Sequence, residues 1–114
     1  MNSRWDILVA FAKHGLDAQF GSRGDGLHCD YNGHTLSLQW GYGNYCNNGR
    51  MGSWDEKTPY SIDFELAVIA PDGKFLPLQD YDSVIGWVPW SNLDTILSTF
   101  KAGAYDHLER IAHE

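Results

Sequence analysis

His28, Cys29, His34 and Cys46 fall close together and are the side-chain types that hold zinc. Their spacing matches neither a CxxC nor an HxxxH arrangement. If residues 27–31 form a strand, His28 and Cys29 point to opposite faces and cannot both ligate one ion. The expectation is no metal site, with Cys29 a small core residue and His28 exposed. Asp63 and Glu65 are a second candidate. Two residues apart on a strand, they lie about 6.6 Å apart, a separation at which carboxylates can share acid and base roles. Any strand with a solvated face has the same spacing, and the sequence places no histidine beside them. Cys46, between Tyr45 and Asn47, could act as a nucleophile, but it too lacks a base placed by the sequence. The glycine-rich pieces at 41–43 and 49–52 have neither the P-loop lysine nor the dinucleotide fingerprint. No catalytic residues and no cofactor are therefore expected, and the chain is not expected to be an enzyme.

The tract from Trp40 to Tyr60 instead has the composition of a recognition surface. It carries Trp40, Tyr42, Tyr45, Trp54 and Tyr60 in a setting too rich in Gly and Asn for a helix. Ordered loops of this length in compact domains are mostly functional, and disordered ones are poor in aromatics. Tyr, Trp and Arg combine large contact area with a polar or charged group, so they carry much of the energy of protein interfaces. Tyr42, Asn44, Tyr45, Arg50 and Trp54, with the acidic pair Asp55 and Glu56, form the predicted partner-binding set. The competing reading folds Trp40, Trp54 and Tyr60 back as a lid on a sheet edge. Trp87 and Trp90, before the last helices, are read as packing residues.

These residues need a scaffold. At 114 residues the chain suits one domain spanning 1–114, large enough for a single core. Its 43% apolar and 14% aromatic content is that of an ordinary soluble globule. The formal charge of −7 opposes direct nucleic-acid binding, because phosphate affinity comes from clustered Lys and Arg. An acidic surface suits a basic partner, or mimics nucleic acid towards a protein that binds it. The apolar run after Asp6 is too short to span a membrane and lacks the order of a signal peptide. A cytoplasmic setting follows, in which Cys29 and Cys46 stay reduced.

Periodicity supplies the elements. Ser3 and Asp6 resemble a capping pair for a helix with apolar residues around much of its circumference, Trp5, Ile7, Leu8, Val9, Phe11 and Ala12, stopped by Gly15. That predicts a well-buried first helix. Asn32-Gly33 between alternating residues predicts a two-residue hairpin pairing Tyr31 with His34, Cys29 with Leu36 and Leu27 with Leu38. Tyr60 to Ile69 alternates as a strand, and Pro71-Asp72-Gly73 should turn the chain into a partner strand at Phe75 to Leu78. Val84 to Val88 reads as a short fifth strand, which Pro89 should end or confine to an edge. Ser91 and Asp94 look like a cap for a helix bearing Leu93, Ile96, Leu97 and Phe100, which Gly103 interrupts. A shorter helical piece from Tyr105 to His113 follows. The predicted fold is α+β: an antiparallel sheet of four or five strands with one N-terminal helix and one or two C-terminal helices.

Residues 36–48 (LSLQWGYGNYCNN), 64–75 (FELAVIAPDGKF) and 84–89 (VIGWVP) resemble segments of small acidic proteins from phages and prophages of actinobacteria. The resemblance implies an origin more than an activity, and small phage proteins of this size often bind and disable host proteins. Together with the negative charge, the aromatic Gly/Asn loop and the missing catalytic motifs, this makes the expected function that of a phage accessory protein that binds and inhibits a host protein, such as a defence or nucleic-acid-processing protein, as anti-defence and anti-CRISPR inhibitors do. The resemblance supplies no functional residues. The alternative reading is a small-ligand or nucleotide-signal sponge, with Tyr42, Tyr45 or Trp54 stacked on a base and Arg50 on a phosphate. An enzyme using Asp63, Glu65 or Cys46 is a third.

Overall fold

A computed structural model describes residues 4–21, 26–40, 63–78 and 83–114. Helix α1 (Arg4–Lys13) is followed by strands β1 (Ala18–Phe20), β2 (Gly26–Tyr31), β3 (His34–Gln39), β4 (Asp63–Ile69) and β5 (Val84–Pro89). A 3-10 turn (Trp90–Asn92) leads into α2 (Leu93–Lys101), and a second (Tyr105–His107) into α3 (Leu108–Ala112). The strands form one antiparallel sheet in the order β1-β2-β3-β4-β5, so the fold is α+β.

The hairpin takes the register that its turn dictates. Asn32 and Gly33 have φ of 52° and 81°, as a turn with two left-handed residues requires. Tyr31 then pairs with His34, Cys29 with Leu36 and Leu27 with Leu38. The same apolar row continues through Leu36 to Val68 and Leu38 to Leu66, and from Leu66 to Ile85. One face of the sheet is therefore apolar across four strands, and the helices cover it with Ile7, Phe11, Ile96, Leu97, Phe100 and Leu108. Trp40, Phe64 and Trp90 meet at one end of this core, with Trp90 ring centroids 5.4 Å from Trp40 and 4.5 Å from Phe64. At the hairpin end, His34 stacks on Tyr105 at 4.4 Å, and Tyr105 leans on Phe100.

Four expectations are corrected. α1 is not buried around its circumference. Ile7, Ala10 and Phe11 face the core, while Trp5 is 73% exposed and Leu8 and Ala12 lie outside. A helix lying on one sheet face buries only a stripe about 100° wide, whatever the composition of its other faces. Phe75 to Leu78 is not a strand. The turn forms, with Gly73 at φ 84°, but only Ala70–Lys74 and Leu76–Val68 hydrogen bonds follow before Pro77. β3 holds one side of β4, and β5 holds the other over Asp63–Ala67, which leaves room for only a short return. The fifth strand is instead β1, too short to signal itself in the sequence. Ser91 does not cap α2. It lies inside the 3-10 turn, Asp94 reaches His14 at 3.1 Å, and Asn92 Nδ2 donates to the carbonyls of Ala112 and Ile111, tying α2 to α3.

The two turns touch. A Cβ on Gly33 would lie 3.3 Å from Pro71 Cγ, whereas one on Gly73 would meet open space. Both glycines have positive φ, which costs an L-residue roughly 1–2 kcal/mol. Gly73→Ala is expected to lower stability by about 1 kcal/mol in urea melts. Gly33→Ala should lower it further, because the added methyl also presses on the neighbouring turn.

Candidate functional site

The helices occupy one face of the sheet, and the other carries the polar half of each alternating strand. Across it run Gln19, His28, Ser37, Ala67 and Val84 in one register row, Asp30, Thr35 and Ile69 in the next, and Gln39 with Glu65 in a third. Thr35 donates to Asp30 across the β2–β3 ladder. Gln39 lies in the space that a side chain on Gly26 would need, and its Nε2 donates to Ser37 Oγ at 3.2 Å. Ser37 and Ala67, the smallest side chains at the centre of this face, are buried.

The metal reading meets this geometry directly. Cys29 is fully buried on the helix-covered face, and His28 is exposed on the other. Among the described residues, no three His, Cys, Asp or Glu side chains converge as ion ligands. Burial pushes the Cys29 thiol above its ordinary pKa. A hydrogen bond from the Asp17 backbone pulls it down, and the negative charges of Asp30 and Asp17 push it up. A thiol of this kind is a poor nucleophile, since reactivity belongs to the thiolate. Asp63 and Glu65 lie half-buried on the face of β4 turned away from the helices, as the alternation required.

At the sheet edge, β5 departs from regular pairing. Phe64 faces Val88 and Leu66 faces Ile85, so Gly86 and Trp87 together oppose the single residue Glu65. This is a β-bulge. Trp87 absorbs it with φ of 51°, a left-handed conformation uncommon for a bulky residue, and its side chain is 57% exposed. The Gly86 carbonyl accepts a hydrogen bond from His113 Nε2 at 2.7 Å, which fixes the ring proton on that nitrogen and clamps α3's end to the bulge. The assignment of both tryptophans to packing is therefore half corrected. Trp90 is core, whereas Trp87 is displayed. The sequence held a signal for this. Ile85 and Val88 are three apart, and a period of two cannot turn both inward without an extra residue between them.

Tyr42, Asn44, Tyr45, Arg50, Trp54, Asp55 and Glu56, and Cys46 with them, lie outside the described residues. Of the lid residues, Trp40 is a core side chain packed edge-on against Phe20 and Trp90, while Trp54 and Tyr60 also fall outside the described part. No helix among the described residues is long and apolar enough to cross a membrane. No protein-family model, curated protein or solved structure matches this chain.

The state of Cys29 is open to direct measurement. In native protein near neutral pH, iodoacetamide should modify Cys29 at least about tenfold more slowly than in urea-unfolded protein, read by peptide mass mapping. Equal rates would show a thiol accessible in the native fold.

Proposed function

We propose that this chain is a non-enzymatic accessory protein of phage or prophage type that binds a basic surface of a host protein and blocks it. Trp87 carries the reading. A large aromatic side chain is displayed at a sheet edge on a backbone conformation that costs an L-residue roughly 1–2 kcal/mol. Strain of this kind is kept where the exposed group has work to do, and Trp is the residue type most concentrated in interface hot spots. The setting suits a basic partner. Glu65 lies opposite the bulge, Asp63 pairs with Pro89 beside it, and the chain's net charge is −7. Such a field speeds encounter with a positive surface and repels nucleic acid itself. Tyr42, Tyr45 and Trp54, in the tract that follows β3 in the sequence, are the second part of the proposed surface.

Trp87→Gly separates binding from folding. Glycine accepts the left-handed backbone, so relief of strain offsets lost partial packing, and stability should stay within about 1 kcal/mol of the parent in thermal melts. Binding should fall by about 2 kcal/mol or more. The measurement is native mass spectrometry of tagged protein recovered from an actinobacterial lysate, followed by titration of the captured partner with parent and variant. A stoichiometric host protein held by the parent and released by Trp87→Gly, with affinity falling as salt rises, supports the reading. Equal affinity for the folded variant removes Trp87 from the interface.

A further inference from the structure

The β2–β3 turn holds a reactive group that the proposed interface leaves unused. Asn32 and Gly33 are both exposed, and among the described residues nothing hydrogen-bonds the Asn32 side-chain amide or the Gly33 N–H. The carbonyl between them is engaged. His34 Nδ1 lies 3.3 Å from Asn32 O, and since a carbonyl oxygen only accepts, Nδ1 is the donor. The His34 ring is itself held, stacked on Tyr105 with 27° between the planes, and Tyr105 leans on Phe100 of α2. We infer that Asn32 is a self-modification site, at which the Gly33 nitrogen closes on the Asn32 side chain, and that His34 is the latch that keeps the reaction slow.

The chemistry needs only water. Gly33 N attacks Asn32 Cγ and gives up its proton to solvent. The new N–Cγ bond closes a cyclic imide as Nδ2 takes up a proton and leaves as ammonia. Water then adds to one of the two imide carbonyls. Breaking the N–Cγ bond yields aspartate, whereas breaking the bond from Gly33 N to the Asn32 carbonyl carbon yields isoaspartate, whose main chain runs through the former side chain. Glycine at position 33 favours the attack, because it has no side chain to crowd the nitrogen. Both products add a carboxylate to a chain of net charge −7. Aspartate suits the same turn, while isoaspartate lengthens the main chain between two paired strands.

Turn geometry sets the rate. With φ of 52° and 81°, Asn32 and Gly33 form the turn in which both residues are left-handed. In that turn ψ of the first residue is about 30°, which puts the Gly33 nitrogen nearly opposite Cβ across the Cα–C bond and out of reach of Cγ. Flipping the 32–33 peptide gives the other two-residue hairpin turn, with φ about 60° and ψ about −120° at Asn32 and φ about −80° at Gly33. Either turn pairs Tyr31 with His34, and glycine accepts both signs of φ. The flip brings the Gly33 nitrogen round to the Cβ side, the arrangement from which it attacks. It also swings Asn32 O to the opposite side of the turn, away from His34. The hydrogen bond therefore exists only in the unreactive turn, and the reactive turn, which favours glycine where Asn32 stands, is the minor state.

The test is peptide mass mapping of the full chain held for weeks near neutral pH, which resolves Asn32 from the chain's other Asn-Gly pair, Asn48-Gly49. Conversion at Asn32 should be at least about tenfold slower in native protein than in protein unfolded in guanidinium chloride, since the folded hairpin visits the flipped turn only as a minor state. His34→Phe keeps a ring to stack on Tyr105 but has no donor, and it should speed native conversion about fivefold, the worth of one net hydrogen bond. The iodoacetamide rate of Cys29, measured on the same samples, reads opening of the whole fold. Faster conversion of Asn32 in His34→Phe, with Cys29 as protected as in the parent, supports the latch. An unchanged or slower rate in His34→Phe, a rise at Asn32 matched by an equal rise at Cys29, or a native rate equal to the unfolded one would overturn it.

Discussion

The ladder between β3 and β4 is the constraint on which the rest of the structure depends. Leu36 opposite Val68 and Leu38 opposite Leu66 fix which residues of both strands face the helices, and a slip of one residue would turn the whole set outward. β2 and β5 inherit that choice through Leu27, Cys29, Ile85 and Val88. The helices then add a single cover, whose buried stripe on α2 is Leu93, Ile96, Leu97 and Phe100. Aromatic contacts close both ends of this core: Trp40, Phe64 and Trp90 at one, His34, Tyr105 and Phe100 at the other. Edge-on and tilted pairs of this kind add about 1 kcal/mol each beyond their buried area.

With one face committed to the core, polar and strained features gather where packing is not decided by that ladder. The bulge at Gly86 and Trp87 lets β5 supply both Ile85 and Val88 to the core, and the extra residue is what brings an indole to the surface. His113 ties the last turn of the chain to the Gly86 carbonyl, so α3 helps hold the bulge in place. At the opposite side, Lys101 and His14 bind the ends of α1 and α2 together. The exposed His14–Asp94 contact adds no more than about 1 kcal/mol to that joint.

Lysines at helix C-termini read as a response to the helix dipole, and Lys13 and Lys101 both fit that description. Lys101 does more in the fold, since its ammonium donates to the His14 carbonyl and so joins the ends of α1 and α2. Trp5 reads as one more apolar residue of α1, and its exposure follows from how the helix is rolled on the sheet.

The sequence by itself determined the β2–β3 hairpin to the residue, because Asn32-Gly33 admits one turn geometry and alternation then sets the faces. It determined the Pro71-Asp72-Gly73 turn, the buried stripe of α2 and the break at Gly103 for the same reason: each is set by neighbours within a few positions. Opposite orientations of His28 and Cys29 were likewise legible from the pleat alone. Tertiary structure alone decided which strand takes the free side of β4, since Phe75 to Leu78 and Val84 to Val88 have equal local claim and only the shared edge excludes one. It decided that α1 exposes Trp5, that Asp94 meets His14 instead of capping its own helix, and that Trp87 turns out while Trp90 turns in. These outcomes depend on contacts between residues distant in the chain, whose energies no local pattern encodes.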